Sequence, residues 1–480
     1  MKAAFLIAAM VLCGMSSSAW CQAFGMAELS EESRACVRCH EEENPGLVQQ
    51  WGESLHYRAN VGCFECHTTA PDDVDAYEHY GQIIATLVTP KDCGRCHSRE
   101  AAEFSASHHS KGARILGSLD NVLAEVVEGN HGMVTPGFPK GVAASAVTGC
   151  WQCHGSEIKV LENGQIDRAT WPNAGIGRIN PDGSEGACNA CHARHTFSAA
   201  QARHPDTCGR CHMGPDHPQK EIFEESKHGI AFFSNIEKMN LGAPKWVVGR
   251  DYWAAPNCAT CHMSATTKQP VTHDVGLRLS WNNRPEVSIR PEVSDAAMGL
   301  PGANIPWTVR RENMKNVCLA CHQTAWIDGF YEQYDELIEL YNTKFGLPGK
   351  DLYALARPLL QPEMFSNELD WTWYEIWHHQ GRRARHGASM MGPDYAHWHG
   401  MYEVAKHFYT EFIPQLEALA QDNLSSSDAT RVQAARALQA RLDEVLEGAD
   451  HRWFVGKMDP EEAKSRKDAA EQFRKRYERD

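Results

Sequence analysis

The pattern Cys-x-x-Cys-His recurs eight times between residues 36 and 322: CVRCH (36–40), CFECH (63–67), CGRCH (93–97), CWQCH (150–154), CNACH (188–192), CGRCH (208–212), CATCH (258–262) and CLACH (318–322). No other cysteine follows residue 21. This spacing lets two thiols form thioethers to the vinyl groups of one haem while the adjacent histidine ligates its iron. One copy alone would also fit half a zinc site or a redox dithiol. Eight copies, each with His directly after the second Cys, leave little room for zinc. The thioether pairs are Cys36 and Cys39, Cys63 and Cys66, Cys93 and Cys96, Cys150 and Cys153, Cys188 and Cys191, Cys208 and Cys211, Cys258 and Cys261, and Cys318 and Cys321. The iron ligands are His40, His67, His97, His154, His192, His212, His262 and His322. The chain therefore reads as an octahaem cytochrome c, carrying eight c-type haems. That restricts its fold, because porphyrin replaces much of the side-chain core and short helices and loops wrap the haems. Haems in contact pass electrons quickly, so the expected role of this region is electron store and conduit.

The first residues read as a secretory signal: Lys2 as the charged start, Ala3 to Cys13 as a short apolar run, and Ser16 to Ala23 as a small-residue cleavage zone. The run is too short to span a bilayer. Cleavage after Ala23 removes Cys13 and Cys21 together and leaves 16 cysteines, all in motifs. No later segment has the length and apolarity of a membrane span, so the mature chain is expected to be soluble and periplasmic, where haem is attached to exported apoprotein. The formal charge of −15 argues against nucleic acid, which needs a positive footprint. It suits attraction to a basic redox partner and, equally, plain solubility.

Intervals between first cysteines are 27, 30, 57, 38, 20, 50 and 60 residues, too irregular for a solenoid. Residues 24–325 form the expected octahaem domain, rich in Gly, Pro, Asn and Asp and poor in long amphipathic patterns. Residues 326–480 form a helical domain for packing, oligomerisation and an active-site loop. Ile327, Phe330, Tyr334, Leu337, Tyr341 and Phe345 recur at helical spacing, with Gly346 and Pro348 as the stop. A second helix is predicted over 367–380 and a third over 398–421, bent near Pro414. A fourth starts from Ser427 as N-cap and ends at Gly448; a last, charged helix starts at Asp459-Pro460. The fold class is mainly α: a multihaem cytochrome c domain with little regular structure, and a C-terminal bundle of long helices.

Each motif histidine fills one axial position, and the other decides what an iron can do. A second His closes it for electron transfer; an open position admits substrate. Seventeen histidines lie outside the motifs. The distal candidates are His56, His79, His108 or His109, His195, His228, His273 and His386. Two loops stand apart: Met213-Gly-Pro-Asp216-His217 directly after the sixth motif, and Met391-Gly-Pro-Asp394-Tyr395 in the helical region. Each places Gly-Pro-Asp in a tight turn followed by a proton-carrying side chain. Asp216 and His217 are candidates for proton handling at an open iron, and Tyr395 for the same role or for modifying a haem. The plain alternative is a pair of ordinary turns.

The motif count, the order of intervals and three segments resemble the hydroxylamine oxidoreductase family of octahaem cytochromes c. The segments are Arg194-His195-Thr-Phe-Ser-Ala-Ala, Gly214-Pro-Asp-His-Pro-Gln through Ser226-Lys-His228-Gly, and Thr272-His273. The resemblance implies that the haem held by Cys150, Cys153 and His154 is the open, catalytic one, that Asp216 and His217 stand beside it, and that His228 and His273 are axial ligands. It also implies a trimer in which a tyrosine from the neighbouring subunit bonds to the catalytic haem; Tyr395 matches that position. The loop Pro393-Asp-Tyr-Ala-His-Trp-His-Gly, the segment Cys150-Trp-Gln-Cys-His-Gly and the long insert to Cys188 look more like members without the bond, which favour nitrite reduction. The resemblance thus points to multi-electron redox of hydroxylamine or nitrite, with a soluble or membrane-attached cytochrome c or a quinol-linked protein as partner. Two other classes stay open: a pure electron-transfer protein with every iron six-coordinate, and an octahaem reductase of tetrathionate or sulfite.

Overall fold

The computed structural model describes residues 28–478, apart from 117–122, 124, 125, 127–131, 136, 137, 285 and 286. The signal segment, with Cys13, Cys21 and the cleavage zone, lies outside the described residues. The chain divides into two units: one of residues up to 88 with 160–165 and 192–198, the other of 89–159, 166–191 and 199 onward.

In the first unit Ser30 caps the helix Glu31–Glu43 by accepting from the Ser33 amide, and Glu31 and Glu32 complement its positive end. Helical spacing then sets Cys36 and His40 one turn apart on the same face. Asn44 ends this helix and Pro45 opens the next, Pro45–Gly52, where a missing N–H is harmless. Leu29, Val37, Val48 and Trp51 form a small core, with Cys63 packed against it. Ser33 Oγ donates to Glu65 at 2.7 Å, tying the first motif helix to Cys63–His67. A hairpin of Ala76–His79 and Gln82–Ala85 completes the unit and carries His79 on its edge.

The second unit begins as short helices and two small hairpins, and turns into long helices after residue 324. The expected class is what the molecule shows: mainly helical, loop-rich around the motifs, with extended helices at the C-terminal end. The change of character near residue 325 falls inside this unit. Helix Thr324–Tyr341 buries Ile327, Tyr331, Tyr334 and Ile338 against Trp281, with Met314 and Cys318 alongside. One apolar face thereby joins helix to motif region, as burial of a helical stripe requires.

The helices are longer than their stop signals suggest. Gly346 and Pro348 do not end the first: a wide π-type turn, Asn342–Gly346, hands over to Leu347–Ala356, whose first turn holds Pro348. Proline is tolerated there because that N–H has no intrahelical partner. The second, Glu368–Tyr374, starts from an Asn367/Asp370 capping box and continues through a π-type turn, Glu375–Gly381, into Arg382–Met390. The third continues from Asp394–Tyr402 to Ile413–Leu424, with Pro414 again in a first turn. The fourth, Ala429–Glu447, is capped by Asp428 rather than Ser427, since the Asp428 carboxylate accepts from the Thr430 amide at 2.8 Å. Asp459 and Pro460 start the last helix as expected. Phe345, Leu352, Trp373, Phe408, Phe412, Leu416, Leu438 and Leu442 fill the core of this bundle. Among the described residues no helix is long and apolar enough to cross a membrane.

Candidate functional site

Histidines from distant parts of the sequence stand opposite motif histidines. Ring centroids are 6.1 Å apart for His40 and His79, 6.0 Å for His109 and His212, and 6.1 Å for His228 and His322. An iron between two imidazoles needs two metal–nitrogen bonds of about 2 Å plus the ring radii, roughly 6 Å in all. These pairs therefore fit haem iron. Burial, then His212, His108, His262 and His154, pull His109 down to about 3, and burial, then His217, pulls His212 down to about 4, which keeps these two rings in the neutral form that offers a lone pair. In the first unit His195 lies near His67, and in the second His273 lies near His97. His67 donates its Nδ1 proton to the Ala85 carbonyl at 2.8 Å, which leaves the other nitrogen to a metal. Among the described residues no three or more His, Cys, Asp or Glu converge to hold a bare metal ion.

The motifs of the second unit adjoin one another through their thiols. Cys93 lies beside Cys188, Cys153 beside Cys211, and Cys208 beside Cys258. The third motif thus meets the fifth, while the sixth meets both the fourth and the seventh. Among the described residues the motif cysteines stand as pairs with no disulfide, the donor set that thioether-linked haems require.

The fourth motif forms the single helical turn Trp151–His154, preceded by a π-type turn, Ala146–Cys150. Trp151 is buried with Leu116, Val142, Ala143 and Ala146. Gly155 ends the turn at φ +82°, and a Cβ there would lie 2.5 Å from the Arg178 amide nitrogen, so only glycine fits this close approach of two backbone segments. Cys153 reaches the loop of the sixth motif, with its sulfur 3.8 Å from the Arg210 carbonyl.

On that loop, His217 donates from Nε2 to the Cys211 carbonyl at 2.9 Å and from Nδ1 to Asp216. Both acceptors lack protons, so both ring nitrogens carry one and the ring is an imidazolium. Burial lowers its affinity for the proton, but the bond to Asp216, that carboxylate's charge and the Cys211 carbonyl together raise it above the ordinary histidine value. Burial likewise pushes Asp216 up; its bond to His217 and the charges of His217, His378 and Arg382 outweigh this and bring the carboxyl down to about 2. Arg382 Nη1 donates to Asp216 Oδ2 at 2.9 Å, and His378 Nδ1 lies 4.0 Å from the same oxygen. The Tyr374 hydroxyl meets His378 Nε2 at 3.1 Å. Asp216 and His217 are therefore an ion pair beside the junction of the fourth and sixth motifs.

The structure separates the two alternatives at 108 and 109. His109 faces His212, whereas His108 Nε2 engages the buried Asp295, which also binds Arg310. His386 lies between donors, with Asn283 Nδ2 2.9 Å from its Nε2 and Arg385 Nη2 3.0 Å from its Nδ1, and near the motif histidine His212. Burial, then Arg385 and His217, hold it well below the ordinary histidine value. His56 packs edge-on to Phe197 at 5.0 Å. Tyr395 does not join Asp216 and His217 within this chain. It is half-buried near His399, with ring centroids 5.5 Å apart, and burial, then Glu221, Glu225 and Asp394, raise its hydroxyl above the usual value. Arg382, His378 and Tyr374 were missed as site residues. Their only signal was the His378-His379 and Arg382-Arg383 runs on one helix.

A family described as "Seven times multi-haem cytochrome CxxCH" matches residues 182–340. The chain is 31% identical over 256 residues to a "Probable nitrite reductase-hydroxylamine oxidoreductase fusion protein" of Kuenenia stuttgartiensis; the match covers 48% of this chain and 25% of the relative. This chain thus spans about a quarter of that protein's length. Among solved structures it is similar to a "Hypothetical multiheme protein", with TM-score 0.70 and 26% identity over 85% of this chain and 100% of the other. It shares its fold with a chain of the "reducing HAO-like protein complex" of Kuenenia stuttgartiensis, at TM-score 0.54 and 19% identity over 87% of each chain.

Proposed function

We propose, for a chain that is a multihaem c-type cytochrome with relatives of the hydroxylamine oxidoreductase type, a periplasmic oxidoreductase that moves several electrons between eight haems and nitrite or hydroxylamine. The reacting site is at the fourth motif, and the protein works as a homotrimer with a cytochrome c or quinol-linked partner. The observation that carries this reading is the Asp216–His217 ion pair hydrogen-bonded to the Cys211 carbonyl, with the Cys211 side chain beside Cys153 of the fourth motif.

A haem held by Cys150, Cys153 and His154 would supply an open iron position for nitrogen and the route for electrons. Everything else falls to the chain. Breaking N–O bonds of nitrite consumes protons along with electrons, and oxidising hydroxylamine releases them. His217 is the stored proton; it gives one to an oxygen as that atom leaves, and Asp216 steadies the ring in either charge state. In the oxidising direction His217 first releases its proton to solvent, and the neutral ring then receives one from nitrogen. Because His217 points both nitrogens at protein acceptors in the resting geometry, delivery requires the ring to exchange one of those bonds for the substrate.

Electron paramagnetic resonance of the resting protein tests the reading. The expected result is a high-spin iron signal that changes on adding nitrite, hydroxylamine or cyanide. A wholly low-spin spectrum, indifferent to all three, would mean that the protein only conducts electrons.

A further inference from the structure

We propose that Arg382 is the positioning residue of the Asp216–His217 pair: it fixes the plane of the Asp216 carboxylate and so the aim of the His217 ring. This rests on the reading above, in which that pair handles the protons.

The polar directions of His217 are both taken, by the Cys211 carbonyl and by Asp216 Oδ1. The first partner is backbone, held within the sixth motif. The second is a side chain whose terminal torsion is intrinsically broad and two-fold. Asp216 can hold the ring only if its own second oxygen is held, and Arg382 Nη1 binds that oxygen at 2.9 Å. Both side chains are largely buried, Arg382 at 16% exposure and Asp216 at 15%, so water competes little for the bond.

Arg382 is also placed independently of Asp216. Its guanidinium carbon lies 5.3 Å from the centre of the Trp377 ring. The residue before it, Gly381, is pressed against Tyr341: a Cβ there would sit 2.4 Å from the Tyr341 ring and hydroxyl. Helix packing therefore delivers the guanidinium to the loop, and the carboxylate takes its orientation from it. His378, one turn earlier, places its Nδ1 4.0 Å from the same oxygen, too far for a hydrogen bond. The arrangement is a base, a carboxylate and an orienting third group, in which loss of the third group costs alignment rather than binding.

The test uses the full holoprotein with nitrite and, separately, hydroxylamine as substrate, and reduced methyl viologen as electron donor. Haem content and low-spin signals are checked first. Arg382→Gln is expected to lower kcat by roughly 10–100-fold, the range for lost supporting groups, with KM unchanged. Arg382→Lys restores the charge but not the planar fork, and is expected to fall between Gln and the parent. In an Asp216→Asn background, Arg382→Gln is expected to cost nothing further, because it acts through Asp216. Parental kcat in Arg382→Gln overturns the proposal, as do losses that multiply in the double variant or a change confined to KM. Should Arg382→Gln lose haem, Arg382→Lys decides: reduced kcat at full haem content supports the proposal, and parental kcat overturns it. If Asp216→Asn itself turns over normally at full haem content, the underlying reading of the pair fails instead. The two failures are thus distinguishable.

Discussion

Asp216 is one carboxylate among three basic side chains, His217, His378 and Arg382. A carboxyl held near 2 stays ionised across the range in which proteins remain folded, so it stabilises a cation and does not itself donate. In the proposed mechanism the donor is His217. Asp216→Asn and His217→Ala are each expected to cut turnover by roughly 10²–10⁴-fold while haem stoichiometry stays constant, which absorbance of the reduced protein checks. Loss of haem instead would make the loop structural. In the proposed function Tyr395 would set direction by a different route. A bond from its ring to the porphyrin would favour withdrawing electrons from hydroxylamine; an unlinked ring would suit reduction of nitrite. Tyr395→Phe is expected to leave the absorption spectrum of the native protein unchanged, in keeping with the unlinked alternative. Disappearance of an unusual haem band would establish the bond. At this scale the motif cysteines and histidines were legible because the attachment signature is local. Asp216 and His217 were legible only as neighbours of a motif. Arg382 was not, because it meets Asp216 across 166 positions of sequence, and no local pattern records such a contact.

Elements show where turn chemistry misleads. Gly346 and Pro348 read as a stop and Pro414 as a bend, yet each falls where a π-type turn gives way to a new first turn, and the helical axis carries on. The apolar periodicity was the better guide, since Ile327, Tyr334 and Tyr341 are all buried as it predicted. Gly381 lies at one such handover. Gly381→Ala would drive a methyl group into the Tyr341 ring, at an overpacking cost of about 1–3 kcal/mol, seen as a lower midpoint in thermal unfolding followed by circular dichroism. A midpoint equal to the parent's would mean that the helix shifts freely. Asp335, on the helix Thr324–Tyr341, accepts from Arg311 Nη2 and Trp281 Nε1, each at 2.6 Å. Burial pushes its carboxyl up, but these bonds prevail and hold it below the usual value. A carboxyl depressed on folding stabilises above its unfolded value, about 3.9, and loses that contribution as pH falls through the folded one. Asp335→Asn is therefore expected to cost roughly 1.5–3 kcal/mol at neutral pH, and the gap from the parent should close in strong acid. A gap independent of pH would assign the loss to packing alone.

For the whole molecule, intact mass of the exported protein is expected to show eight haems on a chain beginning near Phe24, with no free thiol. Seven or fewer, or thiols open to alkylation, would refute it. The class was legible at this scale: a chain with so many motifs must wrap cofactors in short elements and place its long helices elsewhere. The division into units was not. Residues 160–165 and 192–198 associate with the N-terminal segment, and composition changes nowhere near those positions. The expected border at 325 marks a change in helix length, across which Trp281 and Ile327 share one core.

The sixth motif has a wall in common with two others, through Cys208 on one side and Cys211 on the other. On the proposed electron route that would make it a throat. Narrowing it would leave the reacting end able to take its ligand yet slow to be refilled. His109 faces this motif's histidine, so in His109→Met the first turnover after mixing prereduced protein with nitrite is expected at the parental rate, followed by a slow steady state. A parental steady state would reveal a second supply line. A fast enzyme with such a throat behaves as a charged reservoir: what it accomplishes in one encounter depends on how much it already holds, and its average speed on how quickly a single narrow passage lets it fill again.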